Sequence, residues 1–282
     1  MGVWSSSPPL IKIVLGELSP LQINGVRYSV AFLTLLPILL IRSRTIVRKF
    51  NRMEWLQLAI MGLLAFSLGN TVLSTGLKTL PATTTSFLLN GIPIATILLG
   101  TWTLGERPRW TQWGGILLAL AGGLVFFGGR IEFTQVKAIG LSLLGVLLLT
   151  IYGLIARAMT RSGRIDLVSL TAIPMGFGGL FLLAFIWPLP FPSWRIVGIL
   201  AWLTFINSVA AFIIWNHALK SMQAFEISIT GNLMPIGTAL LAPLFLGEMV
   251  SGMAWLGMSI SLIGVVLVGL GGRSEPLKTR TI

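Results

Sequence analysis

The sequence predicts an all-α membrane protein, with ten transmembrane helices arranged as two inverted five-helix repeats. Three observations lead there. The first is composition: of 282 residues, 55% are apolar and 10% charged, and the mean hydropathy is +0.90. A soluble chain of this length needs far more charge to cover its surface. The second is a duplication. Residues 76–129, moved forward by 142 positions, fall without a gap on 218–271. Asn90 and Pro93 land on Asn232 and Pro235, Leu104-Gly105-Glu106 lands on Leu246-Gly247-Glu248, and Trp113 and Gly115 land on Trp255 and Gly257. Matched leucines mean little in apolar helices. A matched Asn-x-x-Pro, Leu-Gly-Glu and Trp-x-Gly marks a repeated unit. The third is the placement of the basic residues, which sets the direction of every span.

Ten apolar runs are expected as spans, at 1–16, 20–41, 54–77, 81–104, 108–129, 137–160, 166–187, 195–219, 224–247 and 250–271. The loops are a few residues long, so consecutive helices are antiparallel neighbours, and no separate domain fits between them. The first run carries Pro8-Pro9, and sixteen residues of helix reach only ~24 Å against a hydrocarbon core of ~30 Å. Two readings stay open: a start placed too late, with apolar residues encoded upstream of Met1, or a broken half-helix. A signal peptide does not fit, because no basic segment precedes the run. In span 5, Gly115, Ala119 and Gly123 recur every four residues, and Gly257 and Ser261 do so in span 10. Small faces of this kind let helices pack closely, so spans 5 and 10 are expected to be scaffold.

Arg42, Arg44, Arg48, Lys49 and Arg52 lie between spans 2 and 3, Arg157, Arg161 and Arg164 around the loop from 6 to 7, and Arg273, Lys278 and Arg280 in the tail. With Arg107, Arg109 and Lys220, fourteen basic residues fall on one side. Lys78, Arg130, Lys137 and Arg195 make four on the other. That asymmetry places both termini in the cytoplasm. It also accounts for the net charge of +12 without nucleic acid, which is not expected as a partner. Spans 4 and 9 are equivalent and an odd number of spans apart, so they cross in opposite directions. The repeats, residues 1–130 and 137–271 with a tail at 272–282, are therefore inverted. Inverted repeats suit a molecule that opens a central site to either side by exchanging the conformations of its halves.

These residues resemble the ten-spanner, EamA-like branch of the drug/metabolite transporter superfamily. Each unit of that family has a Pro-bearing helix, then Leu-Gly-Glu, then a Gly-rich helix. Here these are Pro93, Leu104-Gly105-Glu106 and Gly114 to Gly129, with copies at Pro235, Leu246-Gly247-Glu248 and Gly252 to Gly271. Trp4 and Lys12 match the family's opening Trp and the Lys eight residues on, although Ser5 replaces its Gly and Pro8-Pro9 departs from its pattern. Ser19-Pro20 and Arg27 match the start of its second span. The resemblance covers essentially the whole chain. It implies a transporter of amino acids, sugars or other metabolites, often an exporter, and leaves the substrate open.

The candidate site residues each carry a competing structural reading. Asn90 and Asn232 lie ~12–18 Å into their helices. Pro93 and Pro235 remove a backbone donor, free the carbonyls of Leu89 and Gly231 and kink the helix as hinges. The amides then either face a substrate or bond to a neighbouring helix. Lys12 and Arg27 are the basic residues within spans. Intramembrane charge is costly and defaults to function, so both are candidates to attract an anionic group; snorkelling or helix pairing is the alternative. Glu17 is the nearest candidate partner. Glu106 and Glu248 suit the N-termini of spans 5 and 10, and Glu226 that of span 9. Trp4, Tyr152 and Trp215 form an aromatic wall or sit at interfaces for packing reasons. His217 is read as an interfacial anchor rather than a proton shuttle. Asn70 and Ser86 complete the expected lining of a cavity among spans 1, 3, 4, 6, 8 and 9.

The expected function is secondary active transport of a small-molecule substrate, an amino acid or related compound, with export implied by the resemblance. Alternating access across the inner membrane would be driven by a gradient of protons, another ion or substrate. The lipid bilayer is the surrounding partner, and a monomer or weak dimer the expected state. With no cysteine and a single His, thiol chemistry is excluded and a catalytic metal is disfavoured, and no cofactor is expected. A channel, a lipid or drug flippase and, less readily, an intramembrane enzyme are the alternatives. An enzyme would need convergent acid, base or nucleophile groups that no motif here supplies.

Overall fold

The computed structural model describes residues 2–104, 109–128, 133–161, 163–221 and 233–271. Among them every regular element is a helix. The main helices are α1 (Gly2–Ser5), α2 (Ser7–Val14), α3 (Pro20–Arg42), α4 (Arg52–Leu77), α5 (Ala82–Leu88), α6 (Gly91–Leu104) and α7 (Trp110–Phe126), with a one-turn helix at Arg44–Val47 after α3. They continue as α8 (Phe133–Arg161), α9 (Leu167–Leu183), α10 (Trp194–Ala218), α11 (Leu233–Leu246) and α12 (Gly252–Gly271). Six stretches are long and apolar enough to cross a membrane: α3, α4, Ala82–Leu99 through α5 and α6, Gln135–Thr160 of α8, α10, and Gly252–Leu270 of α12. α7, α9 and α11 are shorter apolar helices. The chain is a multi-pass membrane protein.

Helix ends follow local chemistry. Ser19 opens α3 with a capping box: its hydroxyl accepts from Gln22 N at 3.3 Å, and Ser19 N donates to the Gln22 side chain at 2.9 Å. Asn51 and Glu54 do the same for α4. Asp166 caps α9 by accepting from Val168 N and Ser169 N, each at 3.0 Å, and it also takes the Ser43 hydroxyl at 2.8 Å. Such caps satisfy donors that the helix itself leaves unpaired.

The spacing of 142 residues recurs in three dimensions. It carries α3 onto α9 and α7 onto α12, and each of these pairs packs together in the molecule. Backbones approach so closely that side chains are excluded. A Cβ on Gly115 would lie 2.5 Å from the Gly264 carbonyl, and one on Gly176 would lie 2.8 Å from the Phe32 ring. The face that α7 turns to α12 is Gly115, Ala119 and Gly122. Gly123, expected in the stripe, has only the Phe87 ring near it, at 3.9 Å. A straight helix advances 100° per residue, so the contact line drifts from an i, i+4 row towards i+3.

α4 and α10, also 142 residues apart, each widen into a π-helical segment, Gly62–Gly69 and Trp202–Ala210. A wide turn, bonded i to i+5, shifts the phase of the side chains. The helix is interrupted ahead of Pro93: α5 ends at Leu88 and α6 begins at Gly91. The Leu89 carbonyl, however, is not left free. It accepts from Ile92 N at 3.0 Å, a tighter i to i+3 bond that takes up the acceptor lost to proline.

Candidate functional site

The aromatic residues of five helices meet in one continuous arc. Trp4 of α1 contacts Trp215 and Phe212 of α10 edge-on, at centroid separations of 5.6 and 5.3 Å. Phe212 meets Phe66 of α4 at 5.3 Å, and Phe66 meets Tyr152 of α8 at 5.4 Å and Tyr28 of α3 at 4.8 Å. Edge-to-face geometry is the favoured arrangement for such rings. Trp4 and Trp215 are half-buried, whereas Phe66, Tyr28 and Tyr152 are buried. The indole N–H of Trp4 donates to the Asn207 carbonyl at 2.8 Å, which fixes α1 to the π-helical segment of α10.

Unsatisfied polar groups accompany the arc. Asn207 Oδ1 is buried without a hydrogen-bond partner, and the Tyr152 hydroxyl and the Asn216 amide are buried side by side without a well-aligned one. Asn216 uses its Nδ2 on Thr171 Oγ1 at 2.8 Å, and Asn207 uses its own on Val3 O at 3.1 Å. A buried polar atom without a partner costs about 1–3 kcal/mol, and Ser5, Asn24, Ser29 and Thr85 carry such atoms as well.

Arg27 lies at the end of the arc, 3% exposed, with its guanidinium carbon 5.1 Å from the centre of the Tyr28 ring. Its Nε donates to Ser208 Oγ at 2.7 Å and to the Leu203 carbonyl at 3.2 Å, both in the π-helical segment of α10. It is paired with a helix, not snorkelled to a surface, and Glu17 is not its partner.

Lys12 is engaged elsewhere. Its Nζ lies 2.6 Å from Glu248 Oε1 and donates to the Leu80 carbonyl at 2.7 Å. The other Glu248 oxygen accepts from Ala82 N at 2.8 Å. Glu248 therefore serves the first turn of α5 and not α12, whose cap is Ser251, accepting from Ala254 N at 3.1 Å. Glu17, expected near Lys12, instead accepts from Ser193 N at 2.7 Å and Ser193 Oγ at 2.6 Å. Those two hydrogen bonds, with Arg195 nearby, hold its carboxyl below the usual range. Both acids link segments from opposite halves of the chain. Leu10, Val14, Ile23, Leu77, Ile196 and Leu203 form one buried apolar cluster of residues from both halves, in the same region.

The remaining candidates divide. Asn70 donates to its own Ala65 carbonyl at 2.8 Å, at the close of the π-helical segment. Ser86 is fully buried, 3.0 Å from Thr238 Oγ1, which in turn donates to the Ser5 carbonyl at 3.0 Å; these bonds join α5, α11 and α1. Asn90 is buried at the break between α5 and α6 and makes no side-chain hydrogen bond with a described residue. Pro235 is buried near the start of α11 as described. Asn232, Glu106 and Glu226 lie outside the described residues, and His217 is exposed. Sequence reasoning missed Tyr28, Phe66, Phe212, Ser208 and Asn207. The signal was in the repeat: the 142-residue shift sets Phe66 against Ser208 and Asn70 against Phe212, so the halves differ where they meet.

The class is thus a polytopic helical membrane protein built of two related halves, with a buried aromatic arc. The chain belongs to the EamA-like transporter family, which matches it twice, over residues 1–128 and 136–270. It is 28% identical to an uncharacterized transporter of Archaeoglobus fulgidus over 95% of this chain and 93% of that one. It is 24% identical to an S-adenosylmethionine/S-adenosylhomocysteine transporter of Chlamydia trachomatis, covering 87% of this chain and 79% of the relative. It is also 24% identical to a protein of Streptantibioticus cattleyicolor named "Probable terminal-alkyne amino-acid exporter", over 96% and 92% of the two chains. One crystal structure superposes with a TM-score of 0.70 at 18% identity, covering 95% and 93% of the chains, a likeness of fold alone. The family and these relatives are named for transport.

Proposed function

We propose that this protein is a secondary active transporter that moves a small metabolite, an amino acid or related compound, outward across the inner membrane. Ten spans in two inverted five-helix repeats, residues 1–130 and 137–271, carry it out by alternating access, with both termini in the cytoplasm. The observation that carries the mechanism is the Lys12–Glu248 pair, which ties the two repeats together at one end of the molecule. A contact that ties the halves at one end, beside an aromatic arc whose Trp4 and Trp215 are half-buried, suits rocking halves. The aromatic arc and the buried polar groups of Tyr152, Asn207 and Asn216 support a substrate site there, with Asn90 at the interruption before Pro93 and Asn232 its counterpart in the repeat. Pro93 and Pro235 serve as hinges. The relatives named for an amino acid and for S-adenosylmethionine support the substrate class. The energy source is a gradient of protons, another ion or a counter-substrate, and a monomer suffices, or a weak dimer.

The test is flux in proteoliposomes. Saturable uptake or efflux of at least one amino acid or amino-acid derivative from a panel, measured with and without a pH gradient, is the expected result. Non-saturating flux would make the protein a channel, and movement of labelled lipid alone would make it a flippase. Chemical conversion without net movement would make it an intramembrane enzyme.

A further inference from the structure

We propose that Arg27 is the carboxylate receptor of the substrate site, so that the transported class is a small organic acid with an apolar body. This rests on the transporter reading and narrows its substrate. Arg27 is 3% exposed and within a span, yet no carboxylate among the described residues pairs with it. An isolated buried charge is expensive, and a protein that needed only a helix staple would use a neutral side chain. Its recorded bonds all run through Nε, to Ser208 Oγ and the Leu203 carbonyl, both neutral acceptors. That carbonyl lies in the π-helical segment of α10, and Ser208 Oγ itself donates to it at 3.0 Å. Anchoring by Nε fixes the guanidinium plane and leaves the Nη donors without a described partner. A planar fork with free donors matches the two oxygens of a carboxylate.

The same helix measures the rest of the ligand. Phe212 is four residues beyond Ser208, and Trp215 seven, which is about 6 and 10 Å along a helix of 1.5 Å rise. Trp4 closes over both rings. An acid held at Arg27 therefore lays its body against Phe212, Trp215 and Trp4. Lys12, the other cation within a span, is committed to Glu248 and takes no part.

Ligands sharing a body but differing in the acid separate this role from a structural one. Phenylalanine, methionine and 3-phenylpropanoate are compared with their amides, by thermal stabilisation and by flux in proteoliposomes. The wild type should prefer each acid that it carries over its amide, by about 10- to 100-fold. Arg27→Gln should bring that ratio close to one, and Arg27→Lys, which keeps the charge but not the fork, should lie between. Ser208→Ala loosens the anchor and should lower the ratio with Arg27 intact, which keeps the test valid where Arg27→Gln fails to fold. An unchanged acid-to-amide ratio in Arg27→Gln, with flux persisting, overturns the proposal and leaves the transporter standing. So does a wild type that carries or binds the amides but none of the acids. Absence of saturable flux for every compound, with acids still binding through Arg27, counts against the transporter reading alone.

Discussion

Replacing Lys12 with Gln should open the end of the molecule that Glu248 closes. The pair is separated by 2.6 Å, with the two side chains 25% and 21% exposed. Coulomb attraction at that distance is about 1.6 kcal/mol in water and about 6 kcal/mol at an effective dielectric of 20. Desolvation takes most of this back, which leaves a net of about 1–2 kcal/mol. That favours the closed state by about 5- to 30-fold. The reporter is Val14→Cys, fully buried in the apolar cluster beneath the pair and the sole thiol in a cysteine-free chain. Adding Lys12→Gln should raise its reaction rate with an impermeant thiol reagent, applied from the Glu248 face, by that factor. Glu248→Gln should act alike, and the exchange Lys12→Glu with Glu248→Lys should restore much of the protection. Rates within twofold of the parent in all three variants would refute the latch.

Four further outcomes follow. Gly115→Leu would drive its Cβ into the Gly264 carbonyl, 2.5 Å away, and should destabilise the protein by about 2–3 kcal/mol or more, read as a fall in thermal midpoint in detergent. Pro93→Ala supplies a donor that competes with Ile92 N for the Leu89 carbonyl; the helix should straighten, and turnover should fall more than substrate affinity. Glu17 has a depressed pKa, so its bonds to Ser193 are present above the ordinary carboxylate pKa and are lost as pH falls through the lowered value. The protection of the Ser193 amide against hydrogen exchange, corrected for the intrinsic rate at each pH, should therefore hold down to the ordinary carboxylate range and fall only below it, and Glu17→Gln should abolish that pH dependence. In intact cells, cysteine at position 48 should resist an impermeant reagent that labels position 137; labelling of 48 from outside would reverse the orientation.

Much of the scaffold was legible because the bilayer enforces it. Apolar runs gave α3, α4, α8 and α10 close to their observed limits, and the expected interruption before Pro93 falls between α5 and α6. The site was less legible for identifiable reasons. An apolar helix in lipid is apolar all round, so Phe66 and Phe212 carry no periodic mark that separates an inward ring from a lipid-facing one. The π-helical segments shift the phase further, which hid Ser208 and the Leu203 carbonyl as partners of Arg27. Lys12 was visible as an unusual charge, but its acid is 236 residues away, and sequence proximity pointed wrongly to Glu17. Ser86 looked like a polar lining residue and lies instead in a buried hydrogen-bond chain between helices.

Counterflow tests the account most directly. Proteoliposomes loaded with an unlabelled carried substrate should accumulate labelled substrate transiently above its external concentration, because a carrier returns faster when loaded. Lys12→Gln should alter the exchange rate without abolishing binding. Labelled substrate that only equilibrates, at a rate indifferent to internal loading, would contradict alternating access between the two halves.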